Sequence, residues 1–291
     1  MEPIENYLRR EGYSKQTIRS YLHNIRVFLK DCPDADKFTH SDVLRYFERI
    51  SKKRLSAHTK ATKLTAVKKY FDYLVEQEQR EDHPCRTLSI KGQSRRSVIV
   101  SDLFSSAELE SLLDREERYS FLKTKNQAII SLLIYQGLLP GEIVQLKVHH
   151  VDLVSRTILL RGGRELSSRR LELHPKQHEL FDTYINADRE HILRRNEKKS
   201  DYFIVNFRGK NDTVDSVLYL VDTLKGRFMD RNLTTTTIRD SVIANLLNER
   251  RLPLEQVQLF AGHRWISSTQ RYVQAPAMEQ RELINRWFPT T

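Results

Sequence analysis

The chain has 291 residues, of which 39% are hydrophobic and 30% charged, enough for two domains with separate cores and a heavily charged surface. No apolar run approaches the ~18 residues of a membrane span, the N-terminus lacks a signal-like stretch, and two cysteines, Cys32 and Cys85, exclude a disulfide framework, so a reducing cytoplasm is the expected compartment. Lys and Arg number 49 against 38 acidic residues, a net charge of +11 that favours a polyanionic partner, above all nucleic acid.

That charge is uneven. Residues 1–97 hold 21 basic and 13 acidic side chains, and Arg49 to Phe71 holds eight basic residues and no acidic one. Helical hairpins are predicted here. Ser14 reads as an N-cap, followed by Ile18, Tyr21, Leu22, Ile25, Phe28 and Leu29 at helical spacing. Thr39 to Asp42 opens a second helix with Val43, Leu44, Tyr46 and Phe47 as its apolar positions. A third starts near Ser56 and carries Leu64, Val67, Phe71 and Leu74. Its opposite side presents Lys60, Lys63, Lys68 and Lys69, read either as a solvated face or as a face laid along a DNA backbone.

Pro84 ends this region, because the residue before a proline disfavours helix. The expected division is a helical domain over 1–85, a linker over 86–101 rich in Arg, Ser and Gly, and a second domain over 102–291. Ser105 and Glu108 form a capping-box pattern. Residues 126–135 make an apolar helix ending at Gly137, and a short helix follows from Pro140 to Leu146. The clear β region is Thr157–Leu160, a Gly162-Gly163 turn and Arg170–Leu173, with Phe203–Val205 as a candidate third strand. Helices are predicted over Arg239–Leu247 and Leu254–Phe260, and a final amphipathic segment over Glu279–Phe288. Trp265 and Trp287 are read as packing residues.

The stretch LEQVQLFAGHRWISSTQRY (254–272) places Gly262-His263 nine residues before Tyr272, across a Ser/Thr-rich turn. It resembles the C-terminal signature of the tyrosine recombinases, the phage integrase family. TTTTIRDSVIANLL (234–247) resembles that family's HxxR segment, and IYQGLLPGEIVQLKVHHVDL (134–153) the segment of its first catalytic arginine. The hairpin resembles the one that carries its lysine, and the N-terminal third resembles its helical core-binding domain. The chain is closest in plan to short two-domain Xer-like and transposon recombinases. The fold implied is mainly α: a helical, SAM-like core-binding domain, then a mixed α/β catalytic-type domain with a small β-hairpin sheet. The partners implied are double-stranded DNA, other protomers in a tetramer on paired sites or a related active recombinase, and no membrane. In such a ring the last helix packs into a neighbouring protomer. The chemistry implied is phosphoryl transfer through a 3′-phosphotyrosyl link, with no cofactor and no metal.

Matched position by position, the resemblance retains Tyr272 as nucleophile, His263 and Arg239. Arg239 is read as a phosphate contact, its alternative a salt bridge to Asp240 or Glu142. The other positions depart from the pattern. Leu139 stands where the first arginine belongs, with Lys147 the nearest basic residue downstream. Thr236 replaces the HxxR histidine, keeping a hydroxyl for a phosphate, and Asp240 sits where many members carry another histidine. The lysine place falls on Gly163 or, with a turn one residue longer, on Arg164, a poor general acid because its pKa exceeds 12. An arginine at a transferring phosphate is worth ~10³–10⁵ in rate, roughly 4–7 kcal/mol. Three readings follow: a DNA-binding family member with weak or absent cleavage, an active recombinase with Arg161, Arg164, Arg169 or Arg170 replacing the lost charge, and a helical DNA-binding regulator unconnected with recombination.

Overall fold

The computed structural model describes residues 1–90, 102–115, 117, 122–163 and 166–273. Arg164, most of the expected linker, and the expected Glu279–Phe288 helix with Trp287 lie outside the described residues. The chain divides into two compact units, Met1–Arg96 and Ser97–Thr291.

The first unit is built from α1 (Glu2–Arg10), α2 (Lys15–Asp31), α3 (His40–Ser51) and α4 (Ala57–Glu76). Capping side chains set three of the starts. Ser14 and Ser56 accept hydrogen bonds from the backbone N–H of Thr17 and Thr59, and Thr39 and Asp42 form a reciprocal capping box. Ile18, Leu22, Ile25 and Phe28 of α2 face Val43, Tyr46, Phe47 and Ile50 of α3 and Leu64, Val67, Phe71 and Leu74 of α4. The sequence reading lacks α1, which adds Ile4, Tyr7 and Leu8 to this core. Phe28 is fully buried and meets Phe38, Tyr46, Tyr70 and Phe71 edge-on, at centroid distances of 6.1, 4.9, 6.0 and 6.2 Å.

The second unit is organised around α6 (Lys123–Gln136), whose Ala128, Ile129, Ile130, Leu132 and Leu133 are buried on several sides, so the helix is central rather than amphipathic. Around it lie α5 (Ser106–Ser111), α7 (Pro140–Gln145), α8 (Pro175–Thr183), α9 (Glu190–Arg195), α10 (Val214–Asp222) and α11 (Thr235–Asn248). Then come α12 (Leu254–Ala261) and the single turn α13 (Ser267–Gln270). A three-stranded antiparallel sheet runs in the order β1 (Val151–Asp152), β2 (Thr157–Leu160), β3 (Arg169–Glu172), with Ile158 opposite Leu171 and Leu160 opposite Arg169. The third strand is therefore Val151–Asp152 and not Phe203–Val205. Those three residues are buried, but Val205 pairs with Asn211 in an isolated bridge outside the sheet. Among the described residues no helix is long and apolar enough to cross a membrane.

Phe28→Ala removes the ring at the centre of four aromatic contacts. The expected cost is about 3–5 kcal/mol, read as an earlier urea transition of the first unit by circular dichroism. An unchanged midpoint would contradict the packing described.

Candidate active site

Two helices of the second unit end on left-handed glycines. Gly137 closes α6 at φ +58° and Gly262 closes α12 at φ +71°, a conformation that glycine adopts without strain. Arg239, on the buried side of α11, lies between the two ends. Its Nη1 donates to the carbonyl of Gly137 and its Nη2 to that of Ala261, both at 2.6 Å. Each carbonyl belongs to a helix C-terminus, where partial negative charge collects, so the guanidinium satisfies two ends at once. Burial lowers the Arg239 pKa, and nearby Glu142 opposes that shift. Neither Asp240 nor Glu142 forms the salt bridge considered from the sequence: Glu142 pairs with Arg169, and Asp240 holds Tyr272.

Period-two alternation in β3 turns Arg169 inward with Leu171. Its Nη1 and Nη2 donate to the two carboxylate oxygens of Glu142 at 2.7 and 3.2 Å, and Glu142 also accepts the backbone N–H of Leu139 at 2.9 Å. The pair is nearly dry, with side-chain exposures of 5% and 13%. Removing one partner would leave a buried, uncompensated charge. Arg169 also explains why residue 262 is a glycine in a second way: a Cβ there would stand 2.7 Å from its Nη1.

The hairpin loop is fastened to the segment after α12 by backbone groups and one arginine side chain. Leu166 bridges His263, Ser167 N–H donates to Gly262 O at 2.9 Å, and Arg264 Nη2 donates to Gly163 O at 2.6 Å. Gly163 is exposed and Leu139 half-buried.

His263 Nδ1 lies 2.9 Å from Thr269 Oγ1, and its ring stacks on that of Tyr272 at 6.3 Å and 12°. Burial first, then the charges of Arg239, Arg271 and Arg169, pull its pKa down to about 4, so the imidazole is neutral at pH 7. Tyr272 is 3% exposed. Its Oη donates to Asp240 Oδ1 at 2.6 Å and accepts from Arg271 Nη2 at 2.8 Å, while its carbonyl accepts from Asn248 Nδ2 at 3.0 Å. Burial pushes the phenol up to about 12; the Arg271 hydrogen bond opposes this and Asp240 adds to it.

Arg239, His263 and Tyr272 thus come together at one place. Thr236 sits exposed on the first turn of α11, one turn before Arg239. The four lysines of α4 lie in the first unit, each half-buried and each bonded within it. Lys60 donates to Ser51 O, Lys63 to Asn24 Oδ1, Lys68 to Arg86 O and Lys69 to Asp72 Oδ2. The sequence reading passed over a basic row on α2, where Lys15, Arg19, Arg26 and Lys30 are exposed at near-helical spacing. Trp265 is not a packing residue: it is 74% exposed. Among the described residues no cluster of three or more His, Cys, Asp or Glu is placed to hold a metal ion.

The fold and this site match a known family. Residues 103–279 match the model of the phage integrase family and residues 4–78 that of the phage integrase N-terminal SAM-like domain. The chain belongs to the phage integrase family, the tyrosine recombinases, whose role is in DNA recombination and integration. Its curated relatives include a tyrosine recombinase XerC of Bacillus licheniformis, 27% identical over 276 residues, covering 92% of this chain and 89% of the relative. Another is that of Bacillus subtilis, 23% identical over 286 residues, covering 94% and 92%. Among solved structures it resembles the XerH site-specific recombinase bound to a palindromic difH substrate, with a TM-score of 0.71, 19% identity, and coverage of 93% of this chain and 79% of that one. It also resembles the Tn1549 transposon integrase in complex with a circular intermediate DNA, with a TM-score of 0.69, 17% identity and 98% coverage of both chains. These likenesses are of fold.

The His263 environment sets a measurable titration. Because its folded pKa lies below the unfolded one, the unfolded chain binds the extra proton between about pH 6.5 and 4, and stability falls as pH drops through that window. An NMR titration should keep the His263 ring neutral at pH 6, with a midpoint near 4. A midpoint near 6.5 would refute the buried placement.

Proposed function

We propose that this chain binds specific duplex DNA as part of a recombination assembly and that its own strand cleavage is slow. The observation that carries the reading is Leu139. It stands half-buried at the start of α7, its N–H held by Glu142, and offers no charge where the family pattern has its first arginine. Buried Arg169 is taken up by the same carboxylate. Transition-state charge on a phosphoryl group needs pre-placed donors, so a site short of one cation cleaves slowly. The exposed basic side chains of α2 and of Lys52 to Arg54 suit a phosphate backbone, and several relatives of this fold are described in complex with DNA. The chain then acts in the nucleoid with other protomers, as a tetramer on paired sites or beside an active relative.

The juxtaposition of Arg239, His263 and Tyr272 favours a second reading, a recombinase whose exposed Arg161 and Arg170, or Arg164, replace the missing charge. A nicked suicide duplex separates the two: a covalent adduct formed readily by the native chain and lost in Tyr272→Phe supports the second.

Two outcomes are expected under the first. Affinity for duplex DNA falls with salt, each neutralised phosphate adding about 0.9 to the log–log slope, and a slope near zero defeats the binding reading. Leu139→Arg raises adduct formation about tenfold or more, equivalent to about 1.4 kcal/mol. An unchanged yield removes Leu139 as the cause.

A further inference from the structure

The hydrogen of the Tyr272 hydroxyl rests on a side chain outside the retained set of Arg239 and His263. His263 commits Nδ1 to Thr269, and its ring lies face to face with the tyrosine ring at 6.3 Å. Arg271 donates to Oη and takes nothing from it. The acceptor is Asp240, whose Oδ1 receives the Oη hydrogen at 2.6 Å. Asp240 follows Arg239 on α11, so its position is fixed by the same helix that carries the guanidinium. Its side chain is 17% exposed, beside a tyrosine that is 3% exposed.

We propose that Asp240 is a catalytic residue: the carboxylate that accepts the Tyr272 proton as the phenol attacks phosphorus. The inference rests on the reading of Tyr272 as nucleophile. In the step, Oη forms a bond to phosphorus, its proton passes to Asp240 Oδ1, and the bond from phosphorus to the 5′-oxygen breaks, that oxygen taking a proton from water. In rejoining, Asp240 returns its proton to the departing phenol oxygen.

Three observations support this. The contact is a short O–H···O⁻ hydrogen bond, already within the reach a general base needs. A phenol pushed up to about 12 is ionised in only about 1 molecule in 10⁵ at pH 7, so the proton must leave during the attack rather than before it. Arg271, 2.8 Å from Oη and 4.0 Å from Asp240, steadies negative charge on either oxygen. A carboxylate that takes the proton of an attacking hydroxyl has precedent in phosphoryl transfer by kinases.

The test isolates this proton from the leaving group's. A duplex carrying the mapped binding site has a bridging 5′-sulfur at the scissile position, so the leaving thiolate needs no acid. Adduct formation is followed on denaturing gels for the native chain, Asp240→Asn, Asp240→Glu and Tyr272→Phe, with affinity for the same duplex measured alongside. Asparagine keeps the shape and the acceptor oxygen but takes no proton. The expected result is no adduct with Tyr272→Phe, a fall of about 10²-fold or more with Asp240→Asn at unchanged affinity, and partial activity with Asp240→Glu. Asp240→Asn as fast as the native chain, or faster, overturns the proposal and makes the carboxylate a restraint on the tyrosine. A native chain that binds the duplex and forms no adduct also overturns it, while leaving the DNA-binding reading intact. Loss of binding itself is the outcome that would strike that reading instead.

Discussion

The site depends on one buried cation held between two helix ends. Arg239 binds the last carbonyls of α6 and α12, and those helices reach it only because each stops on a left-handed glycine. Substituting the arginine would orphan two buried carbonyls and release two helix termini whose partial charges it offsets. Arg239 is therefore a structural rivet of this unit. That structural role is independent of any contact Arg239 makes with a ligand.

Around the rivet the remaining groups are paired with one another. Glu142 joins Arg169 to the start of α7, Asp240 and Arg271 hold the Tyr272 hydroxyl, and Thr269 takes a nitrogen of His263. Few polar groups are left idle, as expected where the dielectric is low and an unpaired group is costly. The electrostatic consequence is a centre whose tyrosine and histidine both rest in the neutral form at pH 7.

Much of this was legible in the chain itself. Gly262-His263 and Tyr272 can be found through the resemblance of 254–272 to the tyrosine recombinase signature, and Arg239 through the resemblance of 234–247 to the HxxR segment. Other features leave no local trace. Asp240 meets Tyr272 across 32 positions of sequence, and no spacing encodes that contact. Phe203–Val205 reads as a strand because a short apolar run looks alike in a buried strand and a buried connection. The α4 lysines read as one face, solvated or laid along DNA, since helical periodicity reports the direction of a side chain and not the carbonyls and carboxylates its ammonium can reach. The α1 helix, nine residues long and starting at the second residue, is too short for its pattern to stand out.

The Glu142 carboxylate has one more consequence. It grips the backbone of residue 139 and the side chain of residue 169, and leaves the side chain of residue 139 out of the frame. The architecture of the centre and its chemical competence are therefore separable traits. The side chain at position 139 takes no part in either contact of Glu142, so both survive whatever its charge.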